Sequence, residues 1–445
     1  MRRRGGRRRS AFGRGKRVSS RGPERIRLSL SGRPLKILFI EPWGKGGAQH
    51  YVHSLANAVS EHGMDVGVLT SNHCDIADLP RTYQLHDYVT MWDFEELPTF
   101  SFIEKWRRRL KRYSVYSAFW DTALKTVRET RPDIVHFQDV VFEIDYQFIR
   151  KIARTGVVTG DTVHNVLPFG EGGKAPEDVT RRHPWVLWQR RRIYSLFDFL
   201  LFHSDGGRND FIRYYGDNYK HLDITMHGEF TLYEKSKLSK EEARRKAGLP
   251  PDAPVLLSFG AIRKYKGLDI AIKTLAAVRE HVPDTMLLVA GNIGSDVDME
   301  SYYELAKHLG VAEAILWRLE YIPNEEVGDL YAAADIALLT HRMVYQSGVQ
   351  LLAWHFGTPM VASSVGGLAE MIESGRTGIM FPDGDHKSAA DACINIINHP
   401  ELAGTLVEEG KRTGKERHSW RATAGKLEKI YSEAIDRRGG NTGSS

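Results

Sequence analysis

Three cations in one short loop are the residues of this 445-residue sequence best suited to bind an anion. Arg263, Lys264 and Lys266 follow an apolar run, Val255–Phe259, which predicts a buried strand. A helical pattern begins directly after them, at Gly267. Positive side chains and the free N–H groups of a helix N-terminus together favour a diphosphate ligand. A solvated basic loop is the alternative, but it does not explain why the cations follow the carboxyl end of a strand.

Glycines at a second place could bring backbone close to the same ligand. Gly46 and Gly47 lie between a strand predicted over residues 36–41 and a helix predicted over residues 49–62. Glycine lets the backbone approach a ligand closely, and the N-terminus of the next helix favours an anion. The glycines lack the G-x-G-x-x-G spacing, which argues against a dinucleotide cofactor. A plain tight turn would explain them equally well.

A polar turn opens the helix predicted over Gly348–Phe356. Its residues are Gln346, Ser347, Gly348 and Val349. We predict that the free N–H groups of the first helical turn face the same anion as the cations. The alternative is that Ser347 only caps the helix, so that its loss would cost about 1 kcal/mol of folding free energy and leave ligand affinity unchanged.

The cysteine and histidine pattern argues against a metal centre. Cys74 and Cys393 are far apart and offer no metal-ligand spacing, so we interpret them as inert thiols in a reducing compartment. No cluster of His, Cys and carboxylate residues has ligand spacing either. We therefore expect that the protein needs no metal and no bound cofactor.

Strand and helix patterns alternate from Leu35 onwards in two series. The apolar runs are too short to span a bilayer and are typical of buried parallel strands. This alternation predicts an α/β fold of two doubly wound, Rossmann-like parallel sheets that face one cleft. The predicted units are a first domain over 35–230, a linker over 231–253, a second domain over 254–417, a closing helix over 418–436 and a disordered end over 437–445.

Residues 1–34 carry the positive charge of the chain. They contain twelve Arg, one Lys and one Glu, a net charge of +12, so the remaining residues carry −6 of the total of +6. Such a segment cannot offset its ordering entropy, and we expect a disordered, dispensable tail. An upstream start codon, an arm for anionic lipid and an RNA-binding arm remain open. No aromatic stacking platform accompanies the tail, so we expect no nucleic-acid partner.

Several motifs together resemble the GT-B glycosyltransferases of family 4, over residues 35 to about 435. In chain order they are Gly46-Gly47, Thr162-Val-His-Asn-Val-Leu-Pro, His227-Gly-Glu-Phe, Phe259-Gly-Ala-Ile-Arg-Lys-Tyr-Lys-Gly, Phe356-Gly-Thr-Pro through Gly366-Gly367-Leu368, and Gly375-Arg-Thr-Gly-Ile-Met-Phe. The Gln-Ser-Gly-Val turn indicates a bacterial branch of that family. The resemblance implies the GT-B fold, with the acceptor in the first domain and the nucleotide in the second.

The resemblance also implies the reaction and the roles of particular residues. A sugar would move from a nucleoside-diphosphate-sugar to the hydroxyl of a glycan, lipid-linked or small-molecule acceptor, with retention and without metal. Arg263 and Lys266 would stabilise the leaving diphosphate, and His164 would lie against the donor sugar. The other donor-binding residues would be Gly46, Gly47, Gly260, Gln346, Ser347, Gly348 and Val349. The residues on the acceptor side would be Trp43, Lys45 and Glu229. We expect a cytoplasmic protein, with peripheral contact to an anionic membrane as an open alternative.

One departure from the family pattern keeps other functions open. The family commonly carries two Glu separated by seven residues ahead of the Gly-Thr-Pro stretch, and here Val344 and Leu352 stand at those places. Either the Gln346–Val349 turn holds the donor differently or the protein has lost turnover. The alternatives are a non-catalytic sugar-nucleotide binder, a nucleotide-sugar 2-epimerase and a nucleic-acid binder.

Overall fold

The computed structural model of the protein describes residues 33–441 except for 45, 73, 87–101, 140–143, 168–183 and 231. The tail predicted over residues 1–34 lies outside the described residues, apart from its last two. Arg33 already belongs to the folded domain, because its guanidinium donates hydrogen bonds of 2.8 and 3.0 Å to the carboxylate of Asp133.

The first sheet has seven parallel strands within the described ranges. They are β1 (Lys36–Ile40), β2 (Asp65–Leu69), β3 (Gln84–Leu85), β4 (Ile134–Gln138), β5 (Val158–Thr162), β6 (Phe199–Phe202) and β7 (Leu222–Ile224). Their spatial order is β3-β2-β1-β4-β5-β6-β7. The middle strands are buried almost throughout, as parallel strands are when helices cover both faces of the sheet.

The second sheet repeats this arrangement with six parallel strands. They are β8 (Val255–Phe259), β9 (Met286–Ala290), β10 (Ile315–Arg318), β11 (Ile336–Leu339), β12 (Met360–Ser363) and β13 (Ile379–Phe381). Their order is β10-β9-β8-β11-β12-β13. In both sheets the first strand lies between the second and the fourth, so a crevice opens where the winding reverses. The predicted fold class is therefore confirmed.

The helices lie on both faces of each sheet. They are α1 (Gly47–Glu61), α2 (Phe102–Thr130), α3 (Asp145–Ala153), α4 (Pro184–Tyr194), α5 (Asp205–Tyr215), α6 (Lys240–Ala247), α7 (Leu268–Arg279), α8 (Met299–His308), α9 (Asn324–Ala333), α10 (Gly348–Phe356), α11 (Gly366–Met371), α12 (His386–Asn398), α13 (Pro400–Arg417) and α14 (Trp420–Asn441). A short 3-10 turn covers Lys264–Lys266 and a second one Ala312–Ala314. No helix of the described ranges has the length and apolar character needed to cross a membrane.

The last helix, α14, packs back on the first domain. Its Tyr431 is fully buried in the same hydrophobic cluster as Tyr51 of α1. At its start, the indole of Trp420 donates a hydrogen bond of 2.6 Å to the backbone carbonyl of Glu229. The helix continues to Asn441, so the disordered end predicted from residue 437 begins too early. The reason is Arg438, whose guanidinium lies 2.7 Å from the Asp198 carboxylate and fixes the last turns to the first domain.

Gly228 is the position where this packing tolerates no side chain. A Cβ atom on Gly228 would lie 2.2 Å from the ring of Trp420. We therefore expect Gly228→Ala to lower the free energy of unfolding by about 1–3 kcal/mol, the usual cost of overpacking. Urea unfolding measures it. The matched control is Gly404→Ala in α13, where no atom lies within 4 Å of the new methyl group, and this change should add about 0.5–1 kcal/mol. Equal effects of the two substitutions would contradict the packing argument.

Candidate active site

The cleft between the two sheets holds a cavity of about 360 Å³. Eight of the predicted site residues line it, namely Gly46, Gly47, Gly260, Lys266, Gln346, Ser347, Gly348 and Val349. Other lining residues were not singled out by any motif, among them His50, Tyr233, Tyr321 and His341. The structure thus brings together three motifs that are up to 300 residues apart in the chain, because each follows the carboxyl end of a parallel strand.

Lys266 is the cation that lines the cavity. Its ammonium donates a hydrogen bond of 3.3 Å to the carbonyl of Phe259 and lies over Gly260. A Cβ atom on Gly260 would be 2.7 Å from Nζ, and the φ of +92° at this position also favours glycine. Burial, and then the charge of Arg263, lower the pKa of Lys266 to about 8. Burial and the charge of Lys266 lower the pKa of neighbouring His341 to about 3, so this imidazole is neutral.

Arg263 lies behind Lys266 and does not line the cavity. Its Nε is 2.7 Å from a carboxylate oxygen of Asp296, whose other oxygen accepts a hydrogen bond from the Lys264 backbone at 3.1 Å. Its side chain passes over Gly294, where a Cβ atom would lie 2.2 Å from Cδ. Arg263 is therefore held in place by an ion pair and raises the positive charge around Lys266 from outside the cavity.

The turn before α10 presents polar atoms that have no partner in the described structure. The Ser347 hydroxyl and the Gln346 amide nitrogen are both buried without a hydrogen bond. Ser347 occupies the N-cap position of α10, yet its side chain makes no capping bond. The capping alternative is therefore wrong. A buried polar atom without a partner costs about 1–3 kcal/mol, which a ligand in the cavity would recover.

The places where the family carries its Glu pair are apolar. Val344 and Leu352 both line the cavity and are buried in the hydrophobic core of the second domain. A side chain at Gly348 would first meet the ring of Phe230, at 2.9 Å, rather than a ligand. A side chain at Gly348 would therefore disturb the packing of Phe230.

Asp75 connects the two domains, and no motif of the sequence pointed to it. One of its carboxylate oxygens accepts hydrogen bonds from the Gly46 backbone at 3.0 Å and from the Tyr321 hydroxyl at 2.9 Å. The same oxygen lies 3.3 Å from Nε2 of His50, whose Nδ1 is 2.9 Å from the Tyr233 hydroxyl. Burial alone would raise the pKa of Asp75, but these contacts together hold it below its usual range.

Glu41 orders the loop that carries the first pair of glycines. Its buried carboxylate accepts hydrogen bonds from the backbone of Trp43 at 3.0 Å and of Gly44 at 2.8 Å. Burial raises the pKa of Glu41 to about 7, although these bonds act in the opposite direction. Gly44 has a φ of +76°, so a glycine is needed at this tight turn.

His164 belongs to a buried network rather than to the cavity lining. Its Nδ1 is 3.0 Å from Nε2 of His203, and its Nε2 is 3.1 Å from the Gln138 side-chain amide. Nδ1 of His203 donates a hydrogen bond to the Thr225 carbonyl at 2.9 Å. Burial lowers the pKa of His164 to about 3, which keeps it neutral. The cavity therefore forms without the imidazole that was expected against the donor sugar.

The three residues expected on the acceptor side are not gathered in one place. Trp43 lines a separate narrow pocket of the first domain, with Asp139 and Asp145. The backbone of Glu229 bonds the closing helix instead, and Lys45 lies outside the described residues. Asp139 has a φ of +54°, an uncommon conformation for a residue other than glycine and one that concentrates at functional sites.

Two pairs of carboxylates have Asp-x-Asp spacing, and at least one member of each pair is already engaged. Asp296 and Asp298 have Asp-x-Asp spacing, but the first is paired with Arg263 and the second caps α8. Asp383 and Asp385 have the same spacing, and Asp385 caps α12. Among the residues that the structure describes, no group of three His, Cys, Asp or Glu could hold a metal ion.

Known proteins resemble this chain in sequence and in fold. The family described as Glycosyltransferase Family 4 matches residues 45–225, and the one described as Glycosyl transferases group 1 matches residues 239–413. A D-inositol 3-phosphate glycosyltransferase of Thermobispora bispora is 27% identical over 413 residues, which cover 88% of this chain and 91% of that protein. The protein of the same name from Corynebacterium diphtheriae is 27% identical over 408 residues, covering 87% and 90%.

Solved structures share the fold. Sucrose-phosphate synthase from Thermosynechococcus elongatus superposes with a TM-score of 0.69 at 19% identity and covers 91% of this chain and all of its own. The HepE protein of Anabaena in complex with UDP-glucose gives a TM-score of 0.69 at 17% identity, covering 90% of this chain and all of its own.

Ser347→Ala tests whether the unpaired hydroxyl serves a ligand. Because the side chain makes no capping bond, the melting temperature should change little. The affinity for a nucleoside diphosphate should fall roughly 10–150-fold. This is the effect of losing one hydrogen bond to a charged group, which contributes about 1.5–3 kcal/mol. Thermal shift and calorimetric titration with UDP, GDP and ADP measure both quantities. Lower melting with unchanged affinity would show that the Ser347 hydroxyl stabilises the fold and does not serve a ligand.

Proposed function

We propose a function from the premise that this chain belongs to the GT-B glycosyltransferases similar to those of family 4. The protein transfers a sugar from a nucleoside-diphosphate-sugar to an acceptor hydroxyl. One observation supports the proposal: Lys266 and the N-terminal turn of α10 line the same cavity. A cation, free helix N–H groups and the unpaired Ser347 hydroxyl form a set of donors suited to a diphosphate.

The proposed reaction breaks the bond between the anomeric carbon and the donor oxygen of the diphosphate. The diphosphate leaves with that electron pair, and Lys266 and the α10 N-terminus stabilise the negative charge that develops on it. The acceptor hydroxyl attacks from the face that the diphosphate leaves, and its proton passes to a phosphate oxygen. The sugar thus keeps its anomeric configuration, and no step requires a metal ion.

The proposed role of Arg263 is electrostatic. It lies outside the cavity and is paired with Asp296, so it adds positive charge near Lys266 without offering a direct contact in this structure. The backbone of Gly260 at the floor of the cavity lets the Lys266 ammonium approach a phosphate group. His164 is proposed to fix the end of β5 through its bonds to His203 and Gln138.

Donor and acceptor are inferred from the proteins that this chain resembles. A structural neighbour is described with UDP-glucose, so a uridine-diphosphate sugar is the first donor to test. The sequence relatives are named for D-inositol 3-phosphate, which is the first acceptor to test beside sugar-bearing lipids. We further infer a cytoplasmic enzyme, since both Cys74 and Cys393 are free thiols.

Replacement of Lys266 tests the electrostatic proposal. Lys266→Ala should lower kcat about 10²–10³-fold, the scale for removal of one preorganised stabiliser of developing charge. The matched control is Lys273→Ala, which removes an exposed cation of α7 and should leave the rates unchanged. A rise in KM alone would show that Lys266 binds the donor without stabilising the transition state.

The pH dependence of donor affinity should report the same lysine. Lys266 carries its charge below its pKa of about 8 and loses it above. The dissociation constant of UDP should therefore rise above pH 8, towards about tenfold per pH unit. Calorimetric titration across this range measures it. In Lys266→Ala the rise should disappear, and a rise of equal slope in that variant would assign the titration to another group.

Metal independence is tested in the transfer assay itself. With a panel of nucleotide sugars and acceptors, release of the nucleoside diphosphate should continue unchanged in EDTA, because protein donors supply the positive charge. Complete loss with EDTA and recovery with manganese would show that the electrophile is a metal ion.

The same assay separates the alternative functions. Turnover of donor without any acceptor would support a 2-epimerase, and tight binding without release of diphosphate would support a non-catalytic binder.

A further inference from the structure

The N-terminal half of α2 exposes large apolar side chains. Trp106, Leu110 and Tyr113 are 58, 50 and 53% exposed. Their spacings of four and three residues place them along one side of the helix. In the C-terminal half of α2, by contrast, Tyr116 and Trp120 are buried in the core of the first domain. Exposed aromatic side chains in a row on one helix are unusual for a surface that faces only water.

A second pair of exposed aromatic residues begins α4. Trp185 is 61% exposed and Trp188 45% exposed. Their rings stack on each other with centroids 4.8 Å apart. The guanidinium of Arg192 lies 4.7 Å from the centroid of the Trp188 ring. We call Trp106, Leu110, Tyr113, Trp185 and Trp188 the aromatic rim.

Both parts of the aromatic rim lie at the edge of the first sheet that faces the cleft. The helix α2 leads into the start of β4, and α4 leads into the start of β6, so both helices begin at the carboxyl edge of the sheet. The 29 residues of α2 extend about 43 Å, whereas a strand of five residues extends about 17 Å. The first turns of α2 therefore project beyond the sheet, next to the opening of the cleft.

Cations flank the rim. Arg107, Arg109 and Lys111 are exposed on α2, and Arg191 is exposed on α4. The only acid in α2 up to residue 113 is Glu104, and α4 contains no acid. This positive surface stands out because the chain beyond residue 34 carries a net charge of −6. Aromatic side chains with arginine and lysine beside them suit the boundary between lipid headgroups and acyl chains of an anionic membrane.

We infer that the aromatic rim binds the first domain to an anionic lipid surface. Single-stranded nucleic acid would also attract cations, but it needs open aromatic faces on which bases can stack. Trp188 is already stacked on Trp185 and covered by Arg192, and Leu110 offers no stacking face. A membrane needs only exposed apolar side chains. If the proposed function is correct, this contact also presents the cleft to an acceptor that is anchored in the membrane.

Vesicle flotation of the full-length protein tests the inference without any measure of activity. The protein should float with vesicles of phosphatidylglycerol and phosphatidylcholine, and not with phosphatidylcholine alone. The double variant Trp106→Ser/Trp185→Ser should lower the partition coefficient about tenfold or more. Arg107→Gln and Arg109→Gln should each lower it about fivefold, the share of one cation near an anionic surface. The matched control is Tyr303→Ser on α8, which removes an aromatic residue 37% exposed on the second domain and should bind as the wild type does.

Three outcomes would overturn the inference. Vesicle binding unchanged in the rim variants but lost when residues 1–32 are deleted would assign the contact to the basic tail. Binding of a single-stranded RNA oligomer that the rim variants lose, with no vesicle binding, would assign the rim to nucleic acid. Failure of the wild type to float at all would exclude a lipid surface. Unchanged thermal stabilisation by UDP in the rim variants would show that they are folded and that the outcome is separate from that of the proposed function.

Discussion

The carboxylate of Asp75 is where the two domains and the first glycine turn depend on one another. It accepts a backbone bond from Gly46, a bond from Tyr321 across the cleft, and a contact from His50. A largely buried carboxylate is stable only with such partners. Asp75 therefore helps to set the position of the α1 N-terminus relative to the second domain. The shape of the cavity, which both domains line, follows from that position.

Much of the fold could be predicted because its signals are local. The bounds of α10 agree with the sequence analysis to the residue, since Gly357, with a φ of +77°, marks the end of this helix. The helix α2 was missed, because its many charged residues hide the apolar spacing. The bonds of Asp75 were beyond prediction for a different reason. Tyr321 is 246 residues away from it, and a contact of that range leaves no periodic pattern in the chain.

The site could be predicted as a set of motifs but not as a geometry. Strand ends and helix starts place Lys266, Gly260 and the turn before α10 at one cleft, and the sequence shows all of these. What the sequence does not show is competition from neighbours. Asp296 holds Arg263 outside the cavity, and His203 and Gln138 occupy the two ring nitrogens of His164. A residue type that suits a role in chemistry is assigned correctly only when its hydrogen-bond partners are known.

The apolar residues at the places of the family Glu pair change the electrostatics around Lys266. A carboxylate at Val344 or Leu352 would be buried in the core of the second domain, and it would require a partner or neutralise itself. Without it, the described part of the cavity has a lysine and helix N–H groups and no acid to compete with a diphosphate for them. The ammonium of Lys266 is thus partly desolvated and has only the weak bond to Phe259. A desolvated cation without an ion-pair partner gains more free energy from binding an anion than a cation that is already paired. The reason is that folding has already supplied the free-energy cost of removing water from it. The loss of the acids is therefore compatible with a donor site whose positive charge is concentrated on a single side chain and a helix terminus.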